Sequence, residues 1–195
     1  MLKQSRNLLS LILLLAGLAG ALSVQAEALP KPRVIANHLL DDIDQATWIA
    51  EGKGNRIVYI FFDPNCPYCH KLYGHLRSMV GKDDLQFRWI PVGMLTSTSL
   101  GKAAAILQSK NRLAAFYANE NNFNFSDAGP GGGIKPVAVI EDKTKLDLAS
   151  NLSLLQGQNL YAVPLTVFRA KDGQGLMFEG SPPPKTLHEF LQYVK

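Results

Sequence analysis

Ile57-Val58-Tyr59-Ile60-Phe61-Phe62-Asp63-Pro64-Asn65-Cys66-Pro67-Tyr68-Cys69-His70 is the stretch from which the rest of the chain can be read. Its first six residues form an unbroken apolar, β-prone run bounded by Arg56 and by Asp63-Pro64. That pattern predicts a central strand buried on both faces. A Cys-x-x-Cys pair follows at once, and a helix is expected from about Cys66 to Val80. A thiol at a helix N-terminus faces unpaired N–H groups and the positive end of the dipole, both of which stabilise an anion. Cys66 is therefore the expected nucleophile, exposed and of low pKa. Cys69, one turn inside, is the expected buried resolving thiol, placed to attack a mixed disulfide on Cys66 and release the partner. The implied redox group is the Cys66–Cys69 disulfide itself, with no other cofactor.

Two other uses of such a pair are weaker. A structural disulfide at this spacing closes so short a loop that it removes little unfolded-chain entropy. A zinc site needs two more ligands, and His38, His70, His75 and His188 offer no second pair at finger-like spacing. With only two cysteines in 195 residues, a disulfide scaffold is excluded as well.

Working outward, 47% hydrophobic and 18% charged residues describe a globular chain and exclude disorder and collagen-like fibres. The formal charge of +4 is too small to argue for nucleic acid, and Lys3 and Arg6 lie in a segment expected to be removed. That segment, residues 1–26, has a basic start, an apolar run from Leu8 to about Leu22 and a small-residue ending at Ala26. It reads as a cleaved signal peptide rather than a membrane anchor, which places the remaining domain, 27–195, in an exported, oxidising compartment such as the periplasm.

The elements expected along that domain are a helix from His38 to Ala50, the strand at Ile57–Phe62, the helix after Cys66, and a strand from Leu85 to Val92 with alternating Leu85, Phe87 and Trp89. Two helical segments broken near Asn111 follow between Ser99 and Ala118, then a Gly-rich loop from Asp127 to Gly133 and a helix from Lys143 to Leu155. Val163–Arg169 and Leu176–Gly180 form a hairpin about Lys171-Asp172-Gly173, and a final helix starts after Pro182. This is an α/β pattern with a helical insertion at about 96–159. The Gly-rich loop lacks the Lys-Ser/Thr of a phosphate loop and reads as a flexible connection. His70 is expected to be a solvated helix residue, Phe123 and Phe125 to be core, and Asp63 is a minor candidate for a base.

Strand, Cys-Pro-Tyr-Cys, helix and, far downstream, Ala162-Val163-Pro164-Leu165 before a strand resemble a thioredoxin-fold protein. The resemblance implies a cis-proline at Pro164, in a loop with Val163 that packs on the cysteines and pairs with a substrate strand. It is strongest to the DsbC/DsbG family of periplasmic thiol:disulfide interchange proteins, particularly the DsbG branch. Asp63-Pro64-Asn65-Cys66-Pro67-Tyr68-Cys69, Val92-Gly93, Gly101–Leu107 and Ser181–Leu187 carry it. It implies a thioredoxin fold with the helical insertion between the Leu85–Val92 strand and the cis-proline strand, with Cys66 and Cys69 as catalytic residues. Its implied partners are cysteine-containing exported proteins and a membrane electron donor resembling DsbD, or an oxidising partner resembling DsbB. Only about thirty residues lie between Ala26 and the first expected strand, too few for the family's N-terminal dimerisation domain, so a monomer is expected.

The uncharged Pro67-Tyr68 dipeptide offers Cys66 less thiolate stabilisation than a histidine there, which favours a reductase or isomerase. Val163 stands where the family usually has Thr and where DsbA-like oxidases commonly have Val, which favours the opposite direction. A chaperone or interaction module on the same scaffold is the alternative from another class, against which the intact cysteines argue.

Overall fold

The computed structural model describes residues 31–126, 129 and 131–195. The expected signal segment 1–26, and residues 27–30 of the expected domain, lie outside the described residues. Five strands form one mixed sheet: β1 (Ile49–Glu51), β2 (Arg56–Phe62), β3 (Leu85–Pro91), β4 (Leu165–Arg169) and β5 (Gly175–Glu179). Their order is β1-β3-β2-β4-β5, with β2 parallel to β3 and the other pairings antiparallel. Among the described residues six α-helices accompany them: α1 (Lys31–Asp41), α2 (Pro67–Leu76), α3 (Ser99–Gln108), α4 (Arg112–Asn121), α5 (Asp142–Gln156) and α6 (Pro184–Leu191). This is a thioredoxin-like α/β fold with α3 to α5 inserted between β3 and β4. Among the described residues no helix is long and apolar enough to cross a membrane.

The central strand β2 is buried on both faces, as its continuous apolar run requires. Val58, Ile60 and Phe62 enter one core with Leu72 and Leu76 of α2, Leu187 and Leu191 of α6, and Phe116 of α4. Tyr59 and Phe61 enter the other, with Leu39 and Leu40 of α1 and Leu154 and Leu155 of α5. The period-two alternation of a strand thus divides one sequence run between two helical layers. Ile60 pairs with Trp89 on one side and Thr166 on the other, so the end of β2 that delivers Cys66 is fixed by both neighbours.

The helix expected from His38 to Ala50 is not there. α1 lies seven residues earlier in its start and ends at Asp41, a 3-10 turn spans Ile43–Gln45, and Ile49–Glu51 is an edge strand on β3. The apolar spacing of Ile43, Ala46 and Ile49 is real, since all three are buried, but it is met by a turn and a strand rather than by one helix. Asn151 of α5 holds this turn-to-strand path by accepting from the Thr47 N–H at 2.8 Å and donating to the Thr47 carbonyl at 2.9 Å. Beyond α2, a 3-10 turn at Arg77–Met79 completes the expected helix to near Val80. There Arg77 forms a two-pronged ion pair with the fully buried Glu51 of β1, 2.7 Å from Nη2 to Oε2, while Trp89 Nε1 donates to the same oxygen at 2.9 Å. The guanidinium also lies over the Tyr73 ring, 3.7 Å from its centroid.

Candidate functional site: a Cys-x-x-Cys pair under the Val163-Pro164 loop

Pro67 occupies the first turn of α2, where a missing N–H removes no helical bond and the fixed φ suits the helix. Cys66 is the N-cap. The Cys69 N–H donates to the Cys66 sulfur at 3.1 Å, the bond that a serine or aspartate cap would accept elsewhere. Both thiols are free. The peptide between Val163 and Pro164 is cis, and the Cys66 thiol lies 3.5 Å from the Val163 carbonyl oxygen. This places the Cys66 sulfur against the Val163-Pro164 loop.

One expectation needs correction. The sequence predicts an exposed Cys66, yet the residue is buried along with Cys69, with the Val163 carbonyl against its sulfur. The chemical asymmetry expected of the pair is nonetheless present. Hydrogen bonding from the Cys69 thiol, then the N–H groups of Cys69 and Tyr68, holds the Cys66 thiol below the ordinary range against its burial. Burial first, and then the neighbouring Cys66 sulfur, pushes the Cys69 thiol well up. A lowered thiol beside a raised one is the kind of asymmetry that stepwise thiol–disulfide exchange uses.

The loop between β2 and α2 is held by residues whose roles the sequence did not disclose. Asp63 is buried, and its carboxylate accepts four hydrogen bonds: Asn65 N–H at 2.9 Å, Ser99 Oγ at 2.7 Å, and the N–H groups of Met94 and Leu95 at 2.8 and 3.0 Å. With its lone pairs so occupied it is a joint, not a base. Asn65, also buried, donates to Thr96 Oγ1 at 2.7 Å and Thr98 Oγ1 at 2.9 Å and accepts from Lys102 Nζ at 2.8 Å. Lys102 donates in turn to the Gly132 carbonyl at 2.7 Å, and partial burial lowers its pKa.

Gly131 and Gly132 are therefore not a loose connection. The Gly132 N–H donates to the Pro64 carbonyl at 3.0 Å, and Gly131 bridges to Asn124. A Cβ on Gly132 would stand 1.9 Å from Asn119 Oδ1, which explains a glycine there by close approach. Beside this loop a groove of about 460 Å³ opens between Asn65, Pro67, Leu95, Thr96, Lys102 and Gly131.

His70 and the phenylalanines also differ from expectation. His70 is half-buried, its Nδ1 3.2 Å from Oε2 of Glu120, a carboxylate 2% exposed on α4. Its ring stacks on Phe123 at 4.5 Å between centroids and meets Phe125 edge-on at 5.6 Å. Phe125 is not core but 64% exposed, as are Tyr68 at 65% and Tyr161 at 62%, two residues before Val163. Phe123 is half-buried by stacking on the His70 ring, whereas Phe125 meets that ring only at an edge and stays open to solvent. Glu120 Oε1 accepts from Asn119 Nδ2 at 3.0 Å, and the same amide donates to the Pro64 carbonyl at 3.0 Å. Glu120 and Asn119 carry no sequence motif, being brought to the site only by the packing of α4. Among the described residues, no group of three or more His, Cys, Asp and Glu is placed to hold a metal ion.

Comparison with known proteins agrees with this geometry. Residues 43–195 match the family model of the thioredoxin-like domain. The thiol:disulfide interchange protein DsbG of Pseudomonas aeruginosa is 33% identical over 159 residues, covering 80% of this chain and 60% of that protein. DsbG of Escherichia coli is 30% identical over 151 residues, covering 75% of this chain and 57% of that protein. The chain thus spans about 60% of the length of these curated relatives. Among solved structures, a periplasmic thioredoxin-like protein from Salmonella enterica superposes with a TM-score of 0.58 at 21% identity, covering 82% of this chain and 94% of that one. The thiol-disulfide exchange protein alpha-DsbA2 from Wolbachia pipientis gives 0.61 at 14% identity, covering 85% and 98%. At those identities the structures speak for the fold alone. The chain belongs to the thioredoxin-like domain family, and within it is DsbG-like.

Proposed function

We propose that this protein is a periplasmic thiol:disulfide oxidoreductase that reduces or reshuffles disulfides in cysteine-containing exported proteins. The observation that carries the reading is the asymmetry of the pair, with Cys66 capping α2 and its pKa lowered while Cys69 is buried and raised. In the reducing direction the Cys66 thiolate attacks one sulfur of a substrate disulfide, and the other substrate sulfur leaves as a thiolate. Cys69 then attacks the Cys66 sulfur of the mixed disulfide, losing its proton, and the second substrate thiolate departs. Two enzyme thiols become one disulfide, and one substrate disulfide becomes two thiols. The uncharged Pro67-Tyr68 dipeptide supports this direction, because it adds no cation to favour the reduced enzyme. A membrane electron donor resembling DsbD would then restore the dithiol. The exposed rings of Tyr68, Phe125 and Tyr161 offer an apolar rim to an unfolded or misfolded chain. Residues 1–26, read as a signal peptide, support the compartment.

Val163 before the cis-proline favours a second reading, a DsbA-like oxidase recharged by a partner resembling DsbB. Two measurements separate the readings. Cys69→Ser should accumulate mixed disulfides with exported proteins while Cys66→Ser does not; equal trapping by both variants refutes the assignment of roles. Alkylation of free thiols in acid-quenched cells should find the pair reduced in normal cells and oxidised when the membrane reductase is removed. A pair oxidised in normal cells sinks the reductase and promotes the oxidase.

A further inference from the structure

Lys102 lies half-buried on α3 and reaches back to the loop that carries Cys66. Its ammonium donates to Asn65 Oδ1 at 2.8 Å and to the Gly132 carbonyl at 2.7 Å. An ammonium has three hydrogens, so one donor is left over. Both partners are neutral, and among the described residues no carboxylate forms an ion pair with this cation. Arg77, half-buried in the same way, has Glu51 as its anion. The charge of Asp63 acts on Lys102, but the Asp63 oxygens are filled by Asn65, Ser99, Met94 and Leu95. Drawing a cation out of water without an anion is costly, and an anion brought by another molecule offsets that cost.

The space beside Lys102 suits such a molecule. The groove of about 460 Å³ is lined by Lys102 and by the exposed Thr96, Ser97 and Thr98, and no carboxylate lines it among the described residues. A Cβ on Gly131 would stand 2.7 Å from Asn65 Oδ1 and 3.2 Å from Lys102 Nζ, so glycine leaves the ammonium uncovered on this side. Asn65 and Pro67 also line the groove, and they flank Cys66 in the chain. A polypeptide whose sulfur reaches Cys66 therefore passes the mouth of the groove.

We propose that this groove is a subsite for an acidic side chain of the substrate polypeptide, and that Lys102 sets the preference. A Glu or Asp near the attacked cysteine places its carboxylate on the spare N–H of Lys102, and the hydroxyls of Ser97 and Thr98 are donors for its second oxygen. An extended chain advances about 3.3 Å per residue, so the acidic residue lies within about three residues of that cysteine. Lys102 touches neither reacting sulfur; it selects which disulfides are held against Cys66. The aromatic rim of Tyr68, Phe125 and Tyr161 receives apolar residues of any sequence, and the groove adds a charge requirement to it.

This inference rests on the redox reading, and reduction of short peptide disulfides separates the two. Each peptide has one central cysteine and is presented as its symmetrical disulfide to a limiting amount of reduced protein. Released peptide thiol is counted by acid quench and chromatography. Glu is moved position by position along the peptide, with Gln at the same position as the neutral match. Wild type should reduce the Glu peptide about three- to fivefold faster than its Gln match, at one or two adjacent positions only. A ratio near one at every position overturns the proposal. A preference of equal size at all positions reports attraction by overall charge and overturns it too. In Lys102→Gln the ratio should fall to about one, and Lys102→Arg should keep at least about half of it. Because each ratio compares two peptides on one protein, a general loss of activity cancels. A preference that survives in Lys102→Gln, or vanishes as fully in Lys102→Arg, overturns the assignment to Lys102. Wild type that reduces none of the peptides overturns the redox reading and this inference together.

Discussion

Glu51 and Glu120 are both carboxylates buried against α2, one at its C-terminal end and one beside its start, and they are held in opposite ways. Glu51 receives two prongs from Arg77 and the indole N–H of Trp89, so all its strong partners are permanent donors. Glu120 receives an amide and a titratable imidazole. A carboxylate fixed by a guanidinium is held by an ion pair, whereas one facing an amide and an imidazole is held by hydrogen bonds. The first arrangement fastens the edge strand β1 to the end of α2, and the second ties α4 through Asn119 to the Pro64 carbonyl ahead of Cys66.

The largest effect should come from breaking the fixed pair. In Glu51→Gln the Arg77 guanidinium, one third exposed, keeps a neutral partner in place of an anion. Removing one member of a buried pair costs about 3–5 kcal/mol, and access of water to Arg77 reduces this to about 2–3 kcal/mol. Urea unfolding would measure it. A loss under about 1 kcal/mol would mean that Glu51 is not the fastening it resembles.

The same contrast of fixed and adjustable charge is repeated within the cysteine pair, where it can be read as a rate ratio. Cys66 is lowered and Cys69 raised, so alkylation by iodoacetamide at neutral pH, mapped by mass spectrometry, should favour Cys66 by at least about a hundredfold. The Cys66 rate should rise and level off below the ordinary thiol range, while Cys69 stays protonated through that range. The stability of the reduced protein follows the same signs. Cys66 contributes as pH climbs from its lowered folded value to the ordinary thiol value, and that contribution is lost as pH falls through the lowered value. Cys69 contributes fully below the ordinary value and loses its contribution as pH rises toward its raised one. Equal alkylation of the two thiols would remove the chemical basis for separate roles.

What could be read from the chain beforehand was what depends on neighbours in sequence. The run Ile57–Phe62, the Cys-x-x-Cys at a helix start and the proline of the first turn are local signals, and each was met within a residue or two. The break between α3 and α4 was similarly local, since Asn111 caps α4 by accepting from the Ala114 N–H at 3.0 Å. β1 was missed because three residues carry no periodicity, and its identity as a strand comes from pairing Ile49 with Trp89 forty residues away. At the site the thiols and Pro164 were legible, whereas Glu120 meets His70 across fifty positions and Lys102 meets Asn65 across thirty-seven. His70 looked solvated for the same reason, because the residues that cover it, Phe123 and Phe125, belong to the insertion.

The smallest expected effect tests whether Glu120 is a weaker fastening than Glu51. Gln at position 120 keeps the shape, still accepts from Asn119 through its amide oxygen, and removes a buried charge that faces an amide and an imidazole rather than a guanidinium. Replacing a poorly compensated buried charge by a neutral group is close to neutral or stabilising, so Glu120→Gln should change unfolding free energy by less than about 1 kcal/mol near neutral pH. The exposed pair Lys143–Asp147 on α5 supplies the scale, because Lys143→Ala should shift stability by no more than about 0.5 kcal/mol. If Glu120→Gln falls near that small value while Glu51→Gln loses several times as much, the ion pair and not burial alone is what makes a carboxylate a fastening. If the two losses are equal, Glu120 is a second fastening, and the two ends of α2 are held by the same device.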